Sequence, residues 1–122
     1  MPACRTVLVV DDDPAIRESL GEVLGDEGYE VVYAENGRMA LDYLRTCAEP
    51  PCLVLLDLMM PVMNGWEFCR EKEQDPALGE VKVVVISAMP GPEAKNACLD
   101  AAEVFAKPLK LDRLLESVVR YC

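Results

Sequence analysis

The chain has 122 residues, a length that suits one domain around one core. Acids outnumber bases 22 to 12, for a formal charge of -10. This argues against direct binding of nucleic acid or an anionic membrane, which needs clustered Lys and Arg, and suits a divalent cation or a basic protein surface. Histidine is absent, which removes His-based nucleophilic triads, His metal ligation and phosphohistidine carriage. The cysteines, Cys4, Cys47, Cys52, Cys69, Cys98 and Cys122, form no Cys-x-x-Cys pair, so the zinc pattern is missing. No leader-like segment and no membrane-length apolar run is visible. The expectation is a soluble, reduced, cytoplasmic protein with free thiols.

In chain order, Thr6 to Val10 (TVLVV) reads as a short buried strand that runs into Asp11, Asp12 and Asp13. Asp13 before Pro14 predicts a helix N-cap with proline at the first helical position. Ile16, Leu20, Val23 and Leu24 make its apolar stripe, and Gly28 ends it. Glu30 to Ala34 is the second strand. Asn36-Gly37 turns the chain into a helix with Met39, Ala40, Tyr43 and Leu44 inward, and Pro50-Pro51 stops it.

Cys52 to Leu56 is an unbroken apolar run that ends in one acid, Asp57. A run of this kind suits a strand buried on both faces. Asp57 then either points into a crevice at the sheet end or simply caps the turn that follows. Pro61 and Asn64-Gly65 close that turn, and a helix with Trp66 and Phe68 becomes polar through Glu71 to Gln74. Val81 to Ile86 is the fourth strand, ending in Ser87. A Pro- and Gly-rich loop follows, then a short helix near Glu93 to Leu99. Val104 to Ala106 is the last strand, before Lys107-Pro108. The final helix carries Leu111, Leu114, Leu115, Val118 and Val119 as one stripe, with Lys110, Arg113, Glu116, Ser117 and Arg120 outside.

Strands and helices alternate five times with short connections. This predicts one α/β domain with a parallel sheet and helices on both faces. Ligands bind such sheets beyond the carboxyl ends of the strands. Asp11, Asp12, Asp57, Ser87 and Lys107 all fall at those ends. Converging carboxylates repel one another, and a hard divalent cation relieves the repulsion; Mg2+ suits one or two carboxylates plus a phosphoryl oxygen. An ammonium and a hydroxyl would meet the remaining phosphoryl oxygens. Asp57 could then act as nucleophile, since aspartate can form an acyl phosphate. The bland alternative is an acidic patch salt-bridged to Lys107.

The stretches VLVVDDDP, LLDLMMPVMNG, VVVISA and VFAKP, in this order and spacing, resemble the receiver domain of two-component response regulators. The resemblance covers essentially the whole chain, 1–122, as a single receiver domain. It implies a flavodoxin-like, doubly wound five-stranded sheet of order 2-1-3-4-5. It implies Asp57 as phosphoacceptor, with Lys107 and Ser87 completing the catalytic set. It implies Mg2+ held by Asp11, Asp12, Asp57 and the Met59 carbonyl, and a cis peptide before Pro108. The implied partners are a histidine kinase or phosphotransfer protein and a downstream protein, with room for a phosphorylation-dependent dimer. The domain would catalyse only its own phosphorylation and dephosphorylation.

The switch positions implied are Ser87 and Val104, and here the chain departs from the family. Val104 stands where many members carry Tyr or Phe, and the aromatic comes one place later, at Phe105. Strand alternation puts adjacent residues on opposite faces, so Phe105 is expected in the core. The partner surface is expected on the last two helices and the strand between them. A partner-binding receiver without phosphorylation is opposed by the five pocket residues. A phosphatase of the haloacid-dehalogenase type needs a second acid two residues after the nucleophile, where this chain has Met59.

Overall fold

The computed structural model describes residues 5–58, 63–87, 101–107 and 110–122. The readings placed on Met59, Pro61, Pro108, the 88–92 loop and the helix near Glu93 to Leu99 lie outside the described residues. The strands are β1 (Thr6–Val10), β2 (Glu30–Ala34), β3 (Leu53–Asp57), β4 (Val83–Ser87) and β5 (Glu103–Ala106). The described α-helices are α1 (Pro14–Asp26), α2 (Gly37–Thr46), α3 (Gly65–Gln74) and α4 (Leu111–Tyr121). The sheet runs β2-β1-β3-β4-β5, and every neighbouring pair is parallel. This is the flavodoxin-like order.

Burial explains why these runs are strands. All five residues of β3 and of β4 are buried, as an inner strand covered on both faces requires. Alternate residues feed two separate cores. Leu8, Val10, Val54, Leu56, Val83 and Val85 pack with Leu41, Leu44 and Phe68 on one face. Val7, Val9, Leu53, Leu55, Val84 and Ile86 pack with Leu20, Leu24, Leu114 and Val118 on the other.

Local chemistry sets the helix starts. The Asp13 carboxylate accepts the Ala15 N–H, and Pro14 follows at the first helical position. Asn36 accepts the Met39 N–H at 2.9 Å to cap α2. Asn64 and Glu67 form a reciprocal capping box at α3. Gly28 sits at φ 88°, a left-handed conformation that glycine adopts freely, and turns the chain into β2.

Several expectations shift by a turn or a face. β4 begins at Val83 rather than Val81, because the Val81 N–H closes a 3-10 turn onto Leu78 before the ladder starts. In α2, Leu41 is buried and Met39 is 44% exposed. In α4, Val119 is 66% exposed and Leu111 is also exposed, whereas Ser117 is buried with Leu114 and Val118. The inward stripe of α4 is therefore rotated from the apolar one. Lys72, read as part of a polar helix end, is fully buried.

The expectation of free thiols is overturned for three cysteines. Cys52 and Cys122 are joined in a disulfide, with Cα atoms 5.3 Å apart and a sequence separation of 70. Cys69 is disulfide-bonded as well. Among the described residues, Cys47 is the free cysteine.

Candidate functional site: an acidic pocket at the carboxyl end of the sheet

Register places the pocket. Val10 pairs with Leu56, so Asp11 and Asp57 leave neighbouring strands side by side. Asp57 pairs with Ile86, and Ser87 with Ala106. The next residue, Lys107, continues that frame, its N–H donating to the Ser87 carbonyl at 2.9 Å. A parallel sheet thus brings residues from four chain segments to one edge.

Asp11 is held from three sides. Its N–H donates to the Ala34 carbonyl at 3.1 Å. Its carboxylate accepts the Asp13 N–H at 2.9 Å, and its carbonyl accepts from the Arg17 guanidinium at 2.7 Å. Asp11 and Asp57 are both buried, each only 3% exposed, whereas Asp12 is open to solvent. One carboxylate oxygen from each of the three acids lies within 4.8 Å of the others. Lys107 Nζ stands 3.6 Å from Asp11 Oδ2 and 3.6 Å from Asp57 Oδ2. Ser87, at the end of β4, is fully buried.

Burial raises the Asp11 pKa above the usual carboxylate value. The Asp13 N–H and the Lys107 charge oppose the rise, while Asp12 and Asp13 add to it. Lys107 stands against the two buried acids, and a hard cation held by the three carboxylates would add to that balance.

Leu58 and Met63, on either side of residues 59–62, meet the backbone of two glycines closely. The Gly65 N–H donates to the Leu58 carbonyl at 3.0 Å. A Cβ at Gly65 would fall 2.7 Å from Leu58 Cα and 2.9 Å from the Asp57 carbonyl oxygen. The Gly37 N–H donates to the Met63 carbonyl at 2.8 Å, tying Met63 to the start of α2.

The structure brings Asp11, Asp12, Asp57 and Lys107 close to one another and places Ser87 at the same end of the sheet, on the strand between Asp57 and Lys107. Val104 is half-buried and packs on the first core, while Phe105 packs on the second. They face opposite sides, as alternation requires, but Phe105 is only half-buried and not a full core residue. Sequence reasoning missed Arg17 and the second task of Asp13. The helical stripe shows only that Arg17 is polar, and Asp13 was read for its cap alone.

The fold has known relatives. The chain matches the response regulator receiver domain family over residues 7–119. It is 39% identical over 111 residues to the response regulator MprA of Mycolicibacterium vanbaalenii, covering 89% of this chain and 46% of that protein. The chain thus spans about half the length of the curated relatives it matches. Among solved structures, the response regulator TrrA of Thermotoga maritima, in complex with Mg2+–BeF, superposes with a TM-score of 0.84 at 34% identity. That match covers 97% of this chain and 99% of TrrA. Chemotaxis protein CheY4 of Vibrio cholerae gives 0.86 at 30% identity, covering 98% of this chain and 100% of that one. The chain belongs to the receiver domains of two-component response regulators.

Proposed function

We propose that Asp57 accepts a phosphoryl group from the phosphohistidine of a histidine kinase or phosphotransfer protein. The observation that carries this is one buried carboxylate at the end of β3, flanked by Asp11, Asp12 and Lys107. The Asp57 oxygen attacks phosphorus, the P–N bond of phosphohistidine breaks, and the departing imidazole takes up a proton. Lys107 meets the charge on the transferring group, and the Ser87 hydroxyl donates to one of its oxygens. Water would later attack the acyl phosphate in the same pocket, so the domain catalyses only its own modification and its reversal.

The donor set fits Mg2+, with three carboxylate oxygens that converge. Asp11, Asp12 and Asp57 would hold it, with the Met59 carbonyl as a further ligand. When bound, the ion neutralises phosphoryl oxygens. The Mg2+–BeF complex of TrrA supports the reading by analogy.

Residues 1–122 form a single receiver domain in this reading, working in the cytoplasm. No described helix is long and apolar enough to cross a membrane. The acidic charge favours protein partners over nucleic acid. Ser87 and Val104 are the proposed switch positions, and Lys107-Pro108 the cis peptide. The output surface is proposed on β5, α4 and the segment before β5, with a downstream protein or a second copy as the reader. Its exposed residues there are Lys110, just before α4, and Arg113, Glu116 and Arg120 on it; Ser117 is buried.

The test is incubation with Mg2+ and acetyl phosphate, followed by mass spectrometry. One phosphoryl increment is expected on Asp57 and none on the Asp57→Asn variant. Equal labelling of that variant would falsify the assignment. Turnover of small phosphomonoesters would instead favour a phosphatase.

A further inference from the structure

We propose that Cys52 and Cys122 form a reversible redox clasp that pins the carboxyl end of α4 to the entry of β3. The two cysteines are 70 residues apart in sequence, yet their Cα atoms lie 5.3 Å apart, within the range a disulfide spans. Both residues are half-buried at the margin of the second core rather than sealed inside it. A cytoplasmic setting would make the bond transient, since glutathione there keeps most thiols reduced. The inference takes that setting from the reading above, but the clasp itself stands on geometry.

Besides the second core, on which Val118, Tyr121 and Cys122 pack, the last turn of α4 is held by polar and ring contacts. The Cys122 N–H donates to the Val118 carbonyl at 2.8 Å, which is an ordinary helical bond. The Tyr121 hydroxyl reaches the Ala102 carbonyl at 3.4 Å and the Glu103 carboxylate at 3.2 Å. Arg120 pairs with Glu103 at the exposed surface, and Lys82 Nζ lies 5.4 Å from the Tyr121 ring centre. Surface contacts of this kind are individually weak. The disulfide is the one covalent tie that the described residues offer this turn.

The chemistry is thiol–disulfide exchange with a small-molecule disulfide such as oxidised glutathione. One cysteine thiolate attacks a sulfur of the disulfide and releases a first glutathione thiolate. The second cysteine thiolate then attacks the mixed disulfide, closing the protein bond and releasing a second. The two protein thiols give up two protons, which the two glutathione thiolates take up, and the two electrons leave with them. Reduced glutathione reverses both steps.

The clasp and the acidic pocket occupy opposite ends of β3. Cys52 and Asp57 are five strand positions apart, roughly 17 Å. Opening the clasp should therefore loosen α4 and leave phosphoryl acceptance at Asp57 intact.

The experiment equilibrates the full chain in glutathione buffers of graded ratio and reads three quantities. Alkylation and peptide mapping report the Cys52–Cys122 link, hydrogen exchange reports residues 117–122, and thermal melting reports stability. On reduction, the link should vanish and exchange in the last turn should rise about tenfold or more. The melting temperature should fall by about 5–10 °C. Because Cys69 is also disulfide-bonded, Cys52→Ser and Cys122→Ser separate the two bonds. Each should show the fast last-turn exchange under oxidising conditions, and acetyl phosphate should still label Asp57 in both. A link absent at every ratio would overturn the proposal. So would last-turn exchange in Cys122→Ser that follows the buffer as the unsubstituted protein does.

Discussion

Lys107 reaches Asp57 across the carboxyl end of β4, with 3.6 Å between Nζ and Oδ2. β4 lies between the strands that carry them, so the ammonium crosses a whole strand position to meet the acid. It stands equally close to Asp11. Lys107 therefore serves two buried carboxylates at once.

Removing that ammonium leaves both acids buried with less compensation. Lys107→Met should cost about 2–3 kcal/mol in urea unfolding of the metal-free protein, at the low end for breaking a buried ion pair because the lysine is partly exposed. Mg2+ should recover part of the loss. Labelling by acetyl phosphate should slow by at least tenfold. A variant with unchanged stability in EDTA would show that the pair contributes little.

Asp11 should make the metal-free protein less stable at neutral pH than at mildly acidic pH. Its folded pKa is raised, mainly by burial, above the ordinary 3.8. Between these two values the folded state binds more protons than the unfolded chain, so stability falls as pH rises through the folded value. Asp11→Asn should remove that fall and melt higher than the parent in EDTA at pH 7, while losing Mg2+ affinity. Unfolding curves from pH 4 to pH 8 with matching slopes for both proteins would count against this.

Gly65 has no room for a methyl group. A Cβ there would press on the backbone of Asp57 and Leu58 at under 3.0 Å, and backbone cannot swing aside as a side-chain tip can. Gly65→Ala should cost about 1–3 kcal/mol and displace the phosphoacceptor loop, lowering the labelling rate. Normal labelling at full stability would mean that the loop relaxes easily.

The two neighbours in β5 should separate in their effects. Phe105 is half-buried against the second core, so Phe105→Ala should cost about 2 kcal/mol rather than the larger loss of a sealed core position. Val104 has few side-chain rotamers and no ring to swing. Val104→Ala should leave most beryllofluoride-induced NMR shifts in place. Their disappearance in a variant that still accepts phosphate at Asp57 would place the relay in this residue.

The sequence by itself determined the alternation of strands and helices, because buried parallel strands are continuous apolar runs and helix starts carry Asp13-Pro14, Asn36-Gly37 and Asn64-Gly65. It also marked the pocket, since Asp11, Asp12, Asp57, Ser87 and Lys107 each follow an apolar run and a parallel sheet aligns such ends. Periodicity did not fix the rotation of each helix on the sheet. Val119 and Ser117 exchanged their expected places: the helix turns Leu114 and Val118 into the second core, which carries Ser117 inward and leaves Val119 outside. The Cys52–Cys122 bond was illegible for a related reason. Cysteine spacing carries no pairing without the fold, and only tertiary structure brings the first residue before β3 beside the last residue after α4. The grip of Arg17 and Asp13 on Asp11 was decided there too, because a hydrogen bond depends on ångström positions that residue identity does not encode.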